Sequence, residues 1–408
     1  MINSNDYDIV VAGAGLVGAS MACAIASNPA TCRLKIAVVD PGSSPTLFSG
    51  THFDPRVVAL TRNSQLFLKK LSVWDQIEAQ RVTPYQKMFV WDGEGTANIE
   101  FNCHDFKQKN LGFIAENSLV LTTLLKRMED FSNITVYRKM KIEDVLKKER
   151  ENIEITLLNN NNHKQKINSD LLIAADGANS DIRNKLSMKT REWDYGHDAI
   201  VTTVRTEKSH ENTAWQRFIS SGPLAFLPLT TVNGDDHYCS IVWSLSKDIV
   251  PEIMMKTDEE FLETLSSAFE YKLGSVESVA QRFSFPLRQR HAVDYAQPGV
   301  ALIGDAAHTI HPLAGQGVNL GLLDVQVLAS EIIRAKKRGI PLSDFSLLKR
   351  YQRQRKSDNL SMMATMEGFK RLFGSDNPTL HVLRNEGMER LNSLPMLKNV
   401  IAKKAMGL

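Results

Sequence analysis

The sequence of 408 residues lacks the features that would place the protein in a specialised class. No apolar run approaches the ~18 residues that a membrane-spanning helix needs. Residues 1–7 contain no basic region and no apolar stretch, so we expect no secretory signal peptide. Hydrophobic residues make up 43% and charged residues 23%, which excludes wholesale disorder, a collagen and a coiled coil. The length is typical of two or three domain-sized units.

Cysteine is scarce and shows no pattern. The four cysteines are Cys23, Cys32, Cys103 and Cys239. Their positions have neither the paired spacing of a disulfide framework nor the spacing of metal ligands. We therefore expect free thiols in a reducing compartment, and hence a cytoplasmic protein.

The sequence also lacks a large excess of positive or negative charge, since the net charge is only +3. The charge is nevertheless uneven, since residues 334–371 carry eleven Lys/Arg against three acids. The simpler interpretation is a solvated helix face, and the alternative is peripheral contact with a membrane surface. We predict no nucleic-acid partner.

The N-terminus contains a dinucleotide-binding pattern. A β-branched apolar run over residues 7–12 predicts a buried parallel strand, and a helix over residues 16–27 follows. Gly13, Gly15 and Gly18 between them fit G-x-G-x-x-G. Asp40 ends the next predicted strand, 22 residues after Gly18, which suits an acid on a ribose hydroxyl. An acid there disfavours a 2′-phosphate, so the pattern predicts FAD or NAD.

Three later segments favour FAD. Asp176-Gly177 and Gly304-Asp305 each follow a predicted buried strand, at 171–175 and 300–303. Gly315 and Gly317 precede a predicted helix, whose exposed N–H groups would stabilise an anion. A reduced flavin, anionic at its pyrimidine edge, is a suitable guest for such a helix end.

The middle of the chain predicts a different kind of sheet. Short β-type runs at 199–205, 224–229, 238–243 and 282–286 are separated by turn residues, which favours antiparallel pairing. The run of asparagines at 159–162 predicts a hairpin turn, and the residues after Pro341 predict a long helix.

These stretches together resemble the fingerprints of class A flavoprotein aromatic hydroxylases. The segment HPLAGQGVNLGLLD at 311–324 resembles the signature of the ubiquinone-biosynthesis FAD-dependent monooxygenase family, and the resemblance covers essentially the whole chain. It implies an α/β fold: a Rossmann-like FAD-binding domain of the p-hydroxybenzoate hydroxylase type, an antiparallel β-sheet substrate domain and a C-terminal helical segment. The implied bounds are 1–75, 105–190 and 287–340 for the FAD-binding domain, 76–104 and 191–286 for the substrate domain, and 341–408 for the helical segment.

Two branches of that family remain open. The segments MFVWD at 88–92, HTIH at 308–311 and MEGF at 366–369 are most similar to the 2-polyprenylphenol hydroxylase branch. The segment TAWQ at 213–216 is more similar to the methoxy-methyl-benzoquinol hydroxylase branch.

The resemblance implies a set of FAD-binding residues. They are Gly13, Gly15, Gly18, Asp40, Arg56, Asp176, Gly304, Asp305, Pro312, Gly315, Gln316, Gly317 and Asn319. NAD(P)H would act as a transient reductant, since no second G-x-G-x-x-G is present. O₂ would then form a flavin hydroperoxide that hydroxylates the ring of a hydrophobic polyprenylated aromatic substrate. Other ubiquinone-biosynthesis proteins and the inner membrane are the expected partners.

Catalytic and substrate residues are less clearly marked. His308 and His311 are candidate bases for a phenol substrate, and the alternative is that each packs the loop. Their H-x-x-H spacing has no third ligand, so we expect no metal. Phe226, Leu227, Trp243 and Phe285 would line the ring site or simply form sheet core. Two other functions stay open: a hydroxylase of a small aromatic acid, and a prenyl-cargo binding protein without chemistry.

Overall fold

The fold is that of a computed structural model, which describes residues 6–93, 95, 98–148, 152–309 and 317–373. Its helices are α1 (Leu16–Ala26), α2 (Arg62–Lys70), α3 (Trp74–Glu78), α4 (Asn117–Glu129), α5 (Asp181–Lys185), α6 (Val250–Met255), α7 (Asp258–Ala268), α8 (Gly317–Lys337) and α9 (Phe345–Phe373). Its strands are β1 (Asp6–Ala12), β2 (Ile36–Asp40), β3 (Val57–Thr61), β4 (Val82–Tyr85), β5 (Lys87–Asp92), β6 (Asn98–Asn102), β7 (Gly112–Glu116), β8 (Ile134–Arg138), β9 (Met140–Lys147), β10 (Ile153–Asn159), β11 (Lys164–Ala174), β12 (Thr190–Thr206), β13 (Thr213–Ile219), β14 (Gly222–Leu229), β15 (Tyr238–Ser246), β16 (Val276–Val279), β17 (Phe283–Ala292), β18 (Ala296–Gln297), β19 (Val300–Leu302) and β20 (His308–Thr309).

The first sheet has the strand order β18-β19-β11-β1-β2-β8. Strands β19, β11, β1, β2 and β8 run parallel, and α1, α4 and α8 pack with them in one apolar core. Strand β11 is longer than predicted, because its first half pairs antiparallel with β10 around the hairpin expected at 159–162. The carboxyl ends of β1, β2, β11 and β19 meet at one edge, which is where open α/β sheets bind ligands.

The second sheet is largely antiparallel, as predicted, with the order β20-β17-β12-β15-β14-β13-β5-β6. One pair departs from the expectation, because β5 and β13 run parallel. Helices α6 and α7 cover one face of this sheet and form a separate apolar core with it. The other face is turned toward the FAD-binding half of the chain.

A small third sheet, β3-β7-β4, joins the two halves. Phe113 and Ala115 of β7 point into the core of the first sheet, whereas Ile114 packs with Leu227 and Leu229 of β14. This connecting sheet follows from strands far apart in the sequence, and the sequence patterns did not predict it.

Two of the implied domain bounds do not coincide with the limits of the sheets. The bound at 286/287 falls inside β17, whose pairing with β12 continues to Ala292. Strand β4 lies in the connecting sheet, not in the substrate sheet. Within the described residues no helix is long and apolar enough to cross a membrane, and all four cysteines are free thiols.

Candidate active site

The glycine-rich turn after β1 is shaped by close backbone contacts. Gly13 has φ +97°, and a Cβ atom there would lie 2.5 Å from the carbonyl oxygen of Ala175. A Cβ atom at Gly18 would lie 2.0 Å from the carbonyl oxygen of Gly13. At Gly15, by contrast, a Cβ atom would meet nothing within 4 Å. The turn is therefore packed tightly from behind and open at Gly15, as a site for close approach of a pyrophosphate requires.

Asp40 closes this turn from the end of β2. Its Oδ2 accepts a hydrogen bond from the Ala14 N–H (2.6 Å), and its Oδ1 accepts one from the Gly42 N–H (2.7 Å). A carboxylate has about four acceptor positions, so capacity for a ribose hydroxyl remains. Asp40 thus orders the turn and offers the acceptor that the spacing predicted.

Asp176 provides an unsatisfied acceptor beside the same turn. Its Oδ2 accepts from the Ile182 N–H (3.1 Å), but its buried Oδ1 has no hydrogen-bond partner among the described residues. Burial raises the pKa of this carboxyl, although hydrogen bonds from Ser180 and Ile182 oppose the shift. A buried acceptor without a donor is unusual, and a hydroxyl group of a bound cofactor would satisfy it.

Asp305 lies in a turn at the end of β19. The turn begins at Gly304, which has φ +59°. The Asp305 side chain is exposed, yet desolvation by the surrounding protein raises the pKa of its carboxyl. Its contact with the ribityl chain, which the family resemblance implies, stays a prediction.

The side chain of His308, one of the two predicted bases, is buried beneath the turn. Only 1% of the residue is exposed, and its Nε2 lies 2.6 Å from Oδ2 of Asp324. A catalytic base must reach the proton that it removes. His308 has no such access, so we assign it to the support of the turn. His311, the other predicted base, lies outside the described residues.

The start of α8 is held against β3. Among the described residues, a Cβ atom at Gly317 would meet nothing within 4 Å. The buried side chain of Asn319 is used structurally, since its Oδ1 accepts from the Thr61 N–H (3.0 Å) and its Nδ2 donates to the Ala59 carbonyl (2.7 Å). Asn319 thereby fixes the helix N-terminus to β3. The predicted cofactor residues Pro312, Gly315 and Gln316 lie outside the described residues.

Arg56 connects the two halves of the site. Its guanidinium carbon lies 5.5 Å from the centre of the Phe285 ring, a cation–π contact. Its backbone N–H donates to Asp54 Oδ1 (2.8 Å), and Asp54 Oδ2 accepts from the Ser118 N–H (2.8 Å). Arg56 is exposed and has no carboxylate partner among the described residues. Its charge is therefore available to an anionic group such as a pyrophosphate.

The substrate sheet presents an apolar surface toward Arg56, which we call the apolar floor. Cross-strand pairing places Phe283, Val201, Val242 and Ala225 in one row across four strands. All four side chains are half-buried, as are those of the flanking residues Phe285 and Leu227. Leu227 packs against the same small apolar cluster as Val57 and Ala59 of β3. The floor is therefore partly accessible and lies where the two halves of the chain meet.

Two of the four predicted substrate residues do not belong to this floor. Phe226 is fully buried and stacks on Phe269 with ring centres 3.6 Å apart. Trp243 is 4% exposed and packs near Phe261. Both point to the face covered by α6 and α7, so the prediction that they line the ring site is wrong. Leu227 and Phe285 lie on the face toward Arg56.

Three buried polar residues around the site were given no role from the sequence alone. Arg183 donates to the carbonyl of Ala178 (2.9 Å) and to that of Ala306 (2.9 Å), and so ties the turn after β11 to the turn after β19. Asp324 and Arg355 form a buried ion pair of 2.7 Å. Arg355 belongs to the basic segment expected to be solvated, but it is only 2% exposed. Its spacing from Tyr351 and Asn359, four residues on either side, was the available signal.

Comparison with known proteins agrees with this arrangement. The family model described as FAD binding domain matches residues 6–364. The solved structure of p-nitrophenol 4-monooxygenase PnpA from Pseudomonas putida is similar, with a TM-score of 0.77, 17% identity and coverage of 98% of both chains. PqsL from Pseudomonas aeruginosa is similar over 95% of this chain and 100% of its own, with a TM-score of 0.77 and 19% identity. The family model and the site thus define a FAD-binding protein, and the two solved structures share its fold.

Relatives at higher identity narrow this class. The Xenopus tropicalis ubiquinone biosynthesis monooxygenase COQ6, mitochondrial, is 34% identical over 97% of this chain and 92% of its own length. The Escherichia coli 3-demethoxyubiquinol 3-hydroxylase is 33% identical over 98% of both chains. The chain belongs to the family of FAD-dependent ubiquinone-biosynthesis monooxygenases.

Proposed function

We propose that this protein hydroxylates the aromatic ring of a polyprenylated phenol in ubiquinone biosynthesis, using FAD, NAD(P)H and O₂. The observation that carries the proposal is the apolar floor, whose Phe285 lies against Arg56, a predicted FAD-binding residue. Strand β17 contributes Phe283 and Phe285 to the floor and, further along, pairs at His291 with His308 of the strand that follows the Asp305 turn. A ring placed on the floor would therefore lie near Arg56.

A second candidate substrate has its own support. The Escherichia coli relative is named for 3-demethoxyubiquinol, and its name corresponds to the methoxy-methyl-benzoquinol branch. The sequence segments at 88–92 and 308–311 favour the 2-polyprenylphenol branch instead. We keep the polyprenylphenol as the first candidate and the demethoxyquinol as the second.

The residues of this chain have separate roles in the proposal. Bound FAD would supply the redox chemistry that activates O₂ for transfer to the ring. Gly15 would admit its pyrophosphate, Asp40 would accept from its ribose, and Asp305 would accept from its ribityl chain. The aliphatic and aromatic side chains of the floor would orient the ring and exclude water. No residue needs to act as a nucleophile.

The residue types on the floor disfavour a small aromatic acid as the substrate. Such an acid needs a cationic anchor in its pocket. The floor consists of aliphatic and aromatic residues, and among the described residues the cation found against it is Arg56, which the proposal assigns to the FAD pyrophosphate. The open turn at Gly15 and the unpartnered Asp176 Oδ1 are features of a cofactor site, which a prenyl carrier without chemistry does not need.

Lipid analysis of cells that lack the gene tests the proposal. We expect a polyprenylphenol without the ring oxygen to accumulate, and mass spectrometry of a lipid extract would detect it. Accumulation of a demethoxyquinol would favour the second candidate. Unchanged quinone pools, together with no accumulated precursor, would contradict both.

We also propose peripheral contact with an anionic membrane surface. Four exposed basic residues lie at the end of α8 and the start of α9: Lys336, Lys337, Arg338 and Lys349. Each basic residue near an anionic surface contributes about 1 kcal/mol to binding. Contacts with other ubiquinone-biosynthesis proteins and a cytoplasmic location stay predictions, and the Xenopus relative is named as mitochondrial.

A further inference from the structure

Helix α9 carries a buried stripe with two polar residues at its centre. Tyr351, Arg355, Asn359 and Met363 recur every four residues, and each is at most 5% exposed. Residues at this spacing lie on one face of a helix. The Tyr351 hydroxyl donates to the Leu302 carbonyl (2.7 Å), at the end of β19. The stripe therefore lies directly beneath the strand that leads to Asp305.

Asp324 of α8 connects this stripe to the turn that contains Asp305. Its Oδ1 accepts from Arg355 Nε (2.7 Å). Its Oδ2 accepts from the Gly304 N–H (2.9 Å) and lies 2.6 Å from His308 Nε2. Gly304 and His308 are the two ends of the turn. One fully buried carboxylate therefore holds both ends, with Asp305 between them.

Arg355 is fixed in turn from several sides. It donates to Oδ2 of Asp358 (2.8 Å) and to Oδ1 of Asn359 (2.8 Å). The Asn359 amide donates to the Tyr295 hydroxyl (3.2 Å), which lies 3.0 Å from His291 Nε2. The network thus reaches β17 of the substrate sheet. Its members define a single buried polar cluster, which we call the turn clamp: His291, Tyr295, His308, Asp324, Arg355 and Asn359.

Fold stability alone does not account for such a cluster. A buried ion pair is often no more stabilising than apolar residues of the same volume, because desolvation offsets the attraction. Burial by itself would raise the pKa of Asp324, but His308 and Arg355 outweigh burial and lower it. The carboxylate form is thus the form that holds the turn, since only it accepts from all three donors.

We propose that Asp324 is a positioning residue for FAD, which holds the Gly304–His308 turn so that Asp305 faces the cofactor, and that Arg355 orients Asp324. The inference rests on the proposed contact of FAD with Asp305. It gives helix α9, outside the dinucleotide fold, a role in cofactor binding.

Two double variants separate this role from a contribution to stability. Asp324→Leu/Arg355→Met removes the ion pair and also the acceptor for Gly304 and His308. Asp324→Asn/Arg355→Met removes the same charges but keeps one amide oxygen where Oδ2 lies. Each apoprotein would be titrated with FAD, and the quenching of flavin fluorescence on binding would give the dissociation constant. Urea unfolding of the same apoproteins would give their stabilities.

We expect the Leu/Met variant to bind FAD at least about tenfold more weakly than the wild type, by analogy with the loss of metal affinity when the partners that orient metal ligands are removed. The Asn/Met variant should bind FAD more tightly than the Leu/Met variant, even where its urea midpoint is equal or lower. Arg353→Met changes an exposed arginine of the same helix and should alter neither quantity.

The proposal would be overturned if the Leu/Met variant bound FAD as the wild type does, or if FAD affinity followed the urea midpoint across all variants. Asp305→Ala tests the assumption beneath it. If Asp305→Ala keeps wild-type FAD affinity, the placement of the cofactor is wrong. If Asp305→Ala loses FAD while the Leu/Met variant keeps it, the clamp alone is wrong.

Discussion

Phe226 and Phe285 lie in the same sheet but serve different parts of the molecule. Phe226 is fully buried against α7, whereas Phe285 is half-buried beside Arg56. Consecutive residues of a strand point to opposite faces. Phe226 and Leu227 are consecutive, so they could never both have lined the ring site. The residue types indicated an apolar sheet, but only the packing of the helices shows which face is core.

Truncation of these two rings should therefore have different effects. Phe226→Ala should lower the free energy of unfolding by about 3–5 kcal/mol, because it leaves a cavity in a packed core. Phe285→Ala should cost less stability and should raise the KM for the aromatic substrate. Urea unfolding and steady-state kinetics on both variants check this. Equal KM values for Phe285→Ala and the wild type would contradict the position of the apolar floor.

His291 should make stability depend on pH. Burial, with the nearby charges of His308, Lys356 and Arg191, lowers the pKa of His291 from 6.5 to about 4. Between these values the unfolded chain holds a proton that the folded chain lacks, so the free energy of unfolding falls as the pH is lowered through this window. The slope is at most about 1.4 kcal/mol per pH unit for one proton.

The variant His291→Gln removes this titration. We expect its free energy of unfolding to change less between pH 6.5 and 4.5 than that of the wild type. Urea unfolding at a series of pH values measures the difference. An unchanged pH dependence in the variant would show that His291 does not titrate as the geometry indicates.

At the scale of elements, the crossing of α1 and α8 depends on a single glycine. A Cβ atom at Gly321 would lie 2.6 Å from Val17 Cγ2 and 3.4 Å from the Gly304 Cα. Helix α8 can therefore approach both α1 and the flavin-site turn only because residue 321 has no side chain. The sequence motif contains this glycine, but its contact was not predictable, because it joins three separate segments.

Gly321→Ala and Gly368→Ala form a matched pair of helix substitutions. Alanine is favoured over glycine inside a helix by about 1 kcal/mol. A Cβ atom at Gly368 of α9 would meet none of the described residues within 4 Å, so Gly368→Ala should raise the thermal midpoint. Gly321→Ala should lower the midpoint and weaken FAD binding, because α8 must shift away from Val17. Calorimetry would measure the thermal midpoints of the two variants, and titration would measure their affinities for FAD. A Gly321→Ala variant with a raised midpoint would contradict the close crossing of α1 and α8.

Several elements were predictable because their signals are local. Helix α1, strand β2 and the start of helix α8 were expected from the residues of their own segments, and the glycine turn from the spacing of Gly13, Gly15 and Gly18. The connecting sheet and the parallel β5–β13 pair arise from contacts between distant strands, which no local pattern encodes. Arg355 was assigned to the surface because charge alone does not indicate which side of a helix is buried.

At the scale of the whole molecule, one surface is more basic than the rest. The net charge of +3 conceals a basic region at the end of α8 and the start of α9. Attraction between exposed charges and an anionic surface falls with ionic strength. Membrane binding through this surface should therefore weaken as salt rises, and reversing the charges of its basic residues should abolish it.

Charge reversal tests that contact. Vesicles containing phosphatidylglycerol should bind the wild type at low salt and release it as salt rises. The triple variant Lys336→Glu/Lys337→Glu/Arg338→Glu should bind much more weakly in a sedimentation assay. Lys69→Glu/Lys70→Glu, which reverses exposed charges at the end of α2, is the control and should bind nearly as the wild type does. Equal loss in both variants would exclude a specific membrane-facing surface.

The central claim is that the whole molecule places a flavin beside an apolar floor in order to hydroxylate a prenylated ring. Incubation of the FAD-loaded protein with NAD(P)H, ¹⁸O₂ and a polyprenylphenol, followed by mass spectrometry of the lipid, tests this directly. We predict a product that contains one ¹⁸O atom on the ring. The same incubation with a demethoxyquinol tests the second candidate substrate. NAD(P)H oxidation without incorporation of ¹⁸O into either substrate would contradict the account.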